Sequence, residues 1–187
     1  MSTRLVSSLF LVCLALAASP AMADKERGPM NAAHELFTTM QTKGLAATVP
    51  LTHPAEINKF HDLMMPVFDA EHSQGKRESL DRFFGTGASM EEIKQANPPE
   101  FMSRMLSALA PSFESVQWQS IEIIGTAREG DVVHVVTRIH LGVGETKVIQ
   151  LQIFSFKEFE GNWKMMMSGD IQNMAPLLRA SIEKKSK

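Results

Sequence analysis

The sequence predicts an α+β domain in which N-terminal helices pack on one face of a curved four-stranded antiparallel sheet and a short helix follows. Two observations carry that expectation. Ser115–Ile171 alternates apolar and polar residues at period two, interrupted by glycine-bearing turns. The chain before it instead repeats apolar residues at three- and four-residue spacing. With 187 residues the chain is large enough for a single domain with its own core.

The first 23 residues read as a secretory signal peptide. Arg4 is the basic element, Leu9–Ala18 the apolar run, and Ala21-Met22-Ala23 the small-residue cleavage site. The run is too short for a bilayer span, so residues 24–187 are expected as one domain, periplasmic or secreted. Cys13, the only cysteine, lies in the leader without a lipoprotein context, so the processed chain must hold together without disulfides. Without Arg4, 18 basic residues face 21 acidic ones, a net charge of −3 that is no footprint for nucleic acid.

Asp24–Pro29 is polar and expected to fray. Met30–Lys43 carries Met30, Ala33, Leu36, Phe37 and Met40 at helical spacing and stops at Gly44. A second helix runs from Pro54 to His72 with Ile57, Phe60, Met64, Met65 and Phe68 inward; His61 shares that stripe, and Pro66 is expected to kink or divide it. Lys76–Phe84 is a short third helix closed by Gly85-Thr86-Gly87. That glycine pair lacks the preceding strand and the GK[ST] ending of a phosphate loop. Ser89-Met90-Glu91-Glu92 has the spacing of a capping box. Pro99–Ala110 is the last helix before the sheet and ends at Pro111.

The expected strands are Ser115–Gly125, Asp131–Leu141, Glu145–Phe159 and Asn162–Ile171. A Glu160-Gly161 turn pairs Phe159 with Asn162. A Gly142-Val143-Gly144 loop pairs Val135 with Leu151, and a Glu129-Gly130 turn pairs Ile124 with Val135. These registers put Val133, Val135, Thr137, Ile139, Leu141, Ile149, Leu151, Ile153, Trp118, Ile124 and Met166 under the helices. They leave a mixed outer face of His134, Val136, Arg138, His140, Gln150, Gln152, Phe154, Phe156, Trp163, Met165 and Met167. A polar face with large apolar side chains at one end suits a partner surface.

Helices followed by a meander that closes in Glu160-Gly161-Asn162-Trp163-Lys164-Met165 resemble the nuclear-transport-factor-2-like (SnoaL-like) superfamily over Met30–Met174. The resemblance implies a cone whose helices cover a concave sheet, an apolar pocket inside it, and dimerisation through the other face. The additional helices in Lys76–Ala110 are more similar to a periplasmic phospholipid-carrier branch.

Four functional readings compete. An apolar small molecule or lipid would be held by Met64, Met65, Phe68, Val135, Thr137 and Leu151, since thioethers suit variable ligands. A homodimer or protein partner would use His134, Arg138, His140, Gln152, Trp163, Met165 and Met167, and would weaken on acidification as histidines charge. An isomerase- or dehydratase-type enzyme would need His61, Glu122 and Asp170 to converge beside Thr137 in an apolar pocket, where desolvation favours the protonated carboxyl. The bland alternative is that His61 is a core histidine, Glu122 lies at the rim and Asp170 caps the last helix. Copper at Trp163, Met165 and Met167 is the fourth. His134 and His140, about 20 Å apart on one strand, cannot share an ion, and no H-E-x-x-H or C-x-x-C occurs. The balance favours a binding protein with no cofactor or metal over an enzyme, because no nucleophile–base pair stands out in the sequence.

Overall fold

A computed structural model describes residues 20–169 together with Asn173, Pro176, Leu177 and Ala180, with side chains from residue 28 onward. The signal-peptide run, Asp170 and most of the expected C-terminal helix lie outside the described residues.

Among the described residues five α-helices precede the sheet: α1 (Pro20–Lys43), α2 (Pro54–Ser73), α3 (Glu78–Phe84), α4 (Met90–Gln95) and α5 (Pro98–Leu109). A 3-10 helix, Leu45–Leu51, links α1 to α2, and another, Ala110–Phe113, leads out of α5. Helix α1 begins earlier than expected and runs through Pro29, so the segment expected to fray is helical. Helix α2 is not divided at Pro66. Its first turn is capped by His53, whose Nδ1 accepts the Ala55 N–H at 3.2 Å, and Pro54 stands at the first helical position, where no backbone donor is needed. Asn97 caps α5 through the Glu100 N–H at 3.0 Å. Ser89, expected to cap α4, makes no side-chain cap.

The four strands, β1 (Val116–Glu129), β2 (Val132–Val143), β3 (Thr146–Phe159) and β4 (Asn162–Met166), form one open antiparallel meander in sequence order. The β3–β4 pairing joins Phe159 to Asn162 and Phe156 to Met165. The turn there is Glu160-Gly161, with φ of 51° and 76°, the pattern of a type I′ hairpin.

The other two registers differ from those expected, and the reason lies in where glycine sits. Gly144 has φ 58° and opens a two-residue Gly144-Glu145 turn, so Val143 pairs with Thr146 and Val135 with Phe154 instead of Leu151. A shift of three residues is odd and turns β3 over. Gly130, at φ 61°, likewise opens a Gly130-Asp131 turn and pairs Glu129 with Val132. Bulges between Trp118 and Ser120 and between Ile123 and Gly125 then absorb a residue each, and Ile124 is exposed in the second.

The helices do not form one layer over the sheet. Helix α1 touches all four strands, while α2–α5 pack chiefly on one another and on the first 3-10 helix. The core is divided accordingly. Ala33 and Leu36 of α1 pack on Val133, Val135, Phe156, Trp163 and Met165, and Phe37 packs on Ile139 and Leu141. The helical layer has its own core, including Phe60, Met64, Phe68, Phe83, Ile93, Phe101 and Met105, which Met167 joins. The segment before α2 ties the two parts together: Thr52 bridges Met165 in parallel, and the His53 N–H donates to the Met165 carbonyl at 2.8 Å.

Candidate functional site

The expected acid–base trio is not assembled by the described residues. His61 is on α2, its ring edge-on to Phe101 at 5.0 Å, with Nδ1 3.2 Å from the Asp62 carboxylate and a buried Nε2. Glu122 points to the opposite side of the sheet, where it accepts from Arg138 at 2.6 Å. Asp170 is outside the described residues. Thr137 is completely buried and donates to the Gln152 carbonyl at 2.9 Å, so its hydroxyl is satisfied by the neighbouring strand.

The expected ligand lining is also separated. Met64 and Phe68 are packed into the helical core with Met65 partly buried beside them, and Val135 belongs to the core under α1. Leu151 is 67% exposed on the outer face, because β3 is turned over. Among the described residues α2 packs on its neighbouring helices, so Met64 and Phe68 do not meet Val135 and Leu151.

Of the expected partner surface, His134, Arg138 and His140 stand on the outer face, where they oppose Ser155, Leu151 and Ile149. Gln152, Trp163, Met165 and Met167 stand on the inner side: Gln152 opposes Thr137, Trp163 and Met165 pack under α1, and Met167 enters the helical core. Their places on the outer face are taken by Ile149, Leu151 and Ile153, exposed by 63%, 67% and 56%. With Val136 opposite Ile153 and the bulged Ile124 nearby, they make an apolar stripe across three strands. The three residues alternate with Gln150 and Gln152, so the sequence shows the stripe, but only the register decides which side it faces.

At the turn end of the same face, Ser155 Oγ lies 2.8 Å from His134 Nδ1, and His134 Nε2 lies 3.3 Å from Glu129. Residue types of this kind serve nucleophilic catalysis. Here they sit on an open sheet whose backbone donors are paired in the ladder, so no donor pair is aimed at a developing oxyanion. The cluster is a cross-strand polar ladder.

A second feature lies at the β4 edge of the sheet. A cleft of about 400 Å³ opens between the first 3-10 helix, the start of α2, Pro99 of α5 and the β3–β4 hairpin. Val49, Pro50, Pro54, Ile57, Pro99 and Phe159 are its apolar walls. Among the described residues no group of three or more His, Cys, Asp or Glu side chains is placed to hold a metal. No helix among them is long and apolar enough to cross a membrane.

Comparison with known families gives no match to this chain, and comparison with curated proteins gives none. Among solved structures, one match is the solution structure of a SEC-C motif containing protein from Rhodopseudomonas palustris. It is 12% identical, with a TM-score of 0.42, over 79% of this chain and 84% of that one. The resemblance to the nuclear-transport-factor-2-like superfamily drawn from the closing strand therefore does not stand. No family match supports it, and among the described helices it is α1, not a layer of several, that lies on the sheet.

Proposed function

We propose that this chain is an exported, non-catalytic binding protein that associates with a second copy of itself through the outer face of the sheet. The observation that carries the reading is the stripe of Ile149, Leu151 and Ile153, each more than half exposed on a face that no described helix covers. An identical copy suits this face by charge. Glu122 and Arg138 lie side by side next to the stripe, so a two-fold arrangement sets apolar against apolar and lets the acid and base exchange partners. A strongly basic or acidic partner would find no matching field there.

Size is compatible with that reading. Strands of 14, 12 and 14 residues, at about 3.3 Å per residue and about 4.8 Å apart, offer a face of roughly 600 Å². A standard interface takes roughly 800 Å² from each partner. The separation of His61 from Glu122 on opposite sides of the sheet favours binding over acid–base catalysis. Export rests on the Arg4, Leu9–Ala18 and Ala21-Met22-Ala23 pattern. Sedimentation equilibrium of the processed protein tests the association. A dimer is expected, shifted to monomer by Leu151→Asp. A monomer at about 100 μM would overturn the reading.

A further inference from the structure

We propose that the cleft between the first 3-10 helix and the β3–β4 hairpin is a binding site for a small monoanion with an apolar or aromatic body. This inference is independent of the outer face, from which the cleft is built separately.

The site is held by contacts distant in sequence. The Lys164 ammonium donates to the Pro50 carbonyl at 2.7 Å, joining β4 to the 3-10 helix. The His53 N–H is bonded to the Met165 carbonyl, and the His53 ring stands edge-on to Phe159 with centroids 5.2 Å apart, steadying one wall. Three further wall positions are prolines, Pro50, Pro54 and Pro99, whose fixed φ reduces the ordering cost of binding. A volume of about 400 Å³ falls within the range of small-molecule sites.

The ligand's charge follows from what lines the rim. Thr52, Asn58, Asn162, Glu160 and Lys164 are the polar groups there, and the Thr52 hydroxyl already donates to the Thr48 carbonyl at 3.3 Å. Lys164 spends one of its three protons on Pro50 and has no carboxylate within ion-pair distance among the described residues, Glu160 included. Asn162 directs its amide N–H to the Glu160 carbonyl at 3.1 Å. The N-terminus of α2 is not the anion site, since the Ala55, Glu56 and Ile57 N–H groups are already bonded to His53. Lys164 is thus the group that selects the head of the ligand, and the proline and Phe159 walls take its body.

Three probes with one body and different heads test this: phenylacetate, phenylacetamide and phenethylamine, titrated into the labelled processed protein and followed by amide shifts. Phenylacetate is expected to move Thr52, Asn58, Phe159 and Asn162 saturably. Phenylacetamide should bind about three- to fivefold more weakly, the factor an exposed ion pair supplies, and phenethylamine more weakly still. Lys164→Met should abolish the preference for the acid, Lys164→Arg should retain it, and Asn58→Trp, at an exposed wall position, should block all three. No saturable shifts at these residues, an amine bound as well as the acid, or a preference that survives Lys164→Met would each overturn the proposal. The comparison of the three heads on the unaltered protein decides the matter even where a variant fails to fold.

Discussion

The carboxylate of Glu71 caps the helix that begins beside Ser79. Both of its oxygens accept the Ser79 N–H, at 2.8 and 2.9 Å, and one also accepts the Leu80 N–H at 3.1 Å. Helix α3 has Arg77 at its N-cap position and no side-chain cap of its own, so the last turn of α2 supplies one. Glu71 is only 3% exposed, and removing it would strand these donors in a dry place. Glu71→Ala should cost about 1–3 kcal/mol. Thermal melting measures the loss, and faster hydrogen exchange at Ser79 and Leu80 would locate it. Unchanged exchange at both amides would show that the cap is dispensable.

Gly28 and Trp163 make a second close approach. A Cβ at Gly28 would stand 2.7 Å from Trp163 Cδ1 and 3.5 Å from Cε2, so the indole has to move. Gly28→Ala gains about 1 kcal/mol of helix propensity but forces an overpacking that costs about 1–3 kcal/mol. The expected net effect is a loss of stability with a shifted Trp163 emission. A variant that melts higher with unchanged emission would mean that the ring yields freely.

His61 places Nε2 in the helical layer with no hydrogen-bond partner among the described residues. A buried polar atom of this kind is a cost that an apolar side chain avoids. His61→Leu, which keeps a contact with Phe101, should leave stability unchanged or raise it by about 1 kcal/mol. A loss above about 2 kcal/mol would reveal a partner for Nε2.

On the outer face, Ile153→Lys should leave the fold intact, since the side chain is 56% exposed, while weakening self-association. Equal sedimentation of this variant and the unaltered protein, both dimeric, would move the interface elsewhere.

Asp131 and Lys157 close the β2–β3 pairing at 2.7 Å. The Lys157 hydrogen bond is the main cause that holds the Asp131 carboxyl below its ordinary value of 3.8. A carboxyl lowered in the folded state stabilises it above that ordinary value, and the contribution disappears as pH falls through the lowered one. The difference in melting temperature between the unaltered protein and Lys157→Met should therefore be present above the ordinary carboxyl value of 3.8 and shrink as pH falls below it. A difference that stays constant as the solution is acidified would show that the pair contributes nothing through ionisation.

Local pattern was enough for the architecture. Period-two alternation after Ser115 and helical spacing before it announce an α+β chain, because burial of one strand face or one helix stripe leaves its period in the sequence. The β3–β4 hairpin was equally legible, since Glu160-Gly161 has the residue types of its turn. The candidate surfaces were not. Ile149, Leu151 and Ile153 read as an apolar strand face, and apolar reads as inward, but Gly144 opens its turn and sets the register that turns them outward. The cleft was missed altogether. Its walls come from Pro50, Pro54, Pro99 and Phe159, far apart in the chain, and no local spacing signals their meeting.

By itself, then, the sequence determined element types, their order and the alternation of each strand, because these depend on neighbours within one turn or one pleat. The tertiary structure decided which side each alternation faces, that α1 is the described helix lying on the sheet, and that Lys164 meets Pro50 across the chain. Those outcomes depend on turn φ values and on packing between elements, where one residue of register exchanges core for surface.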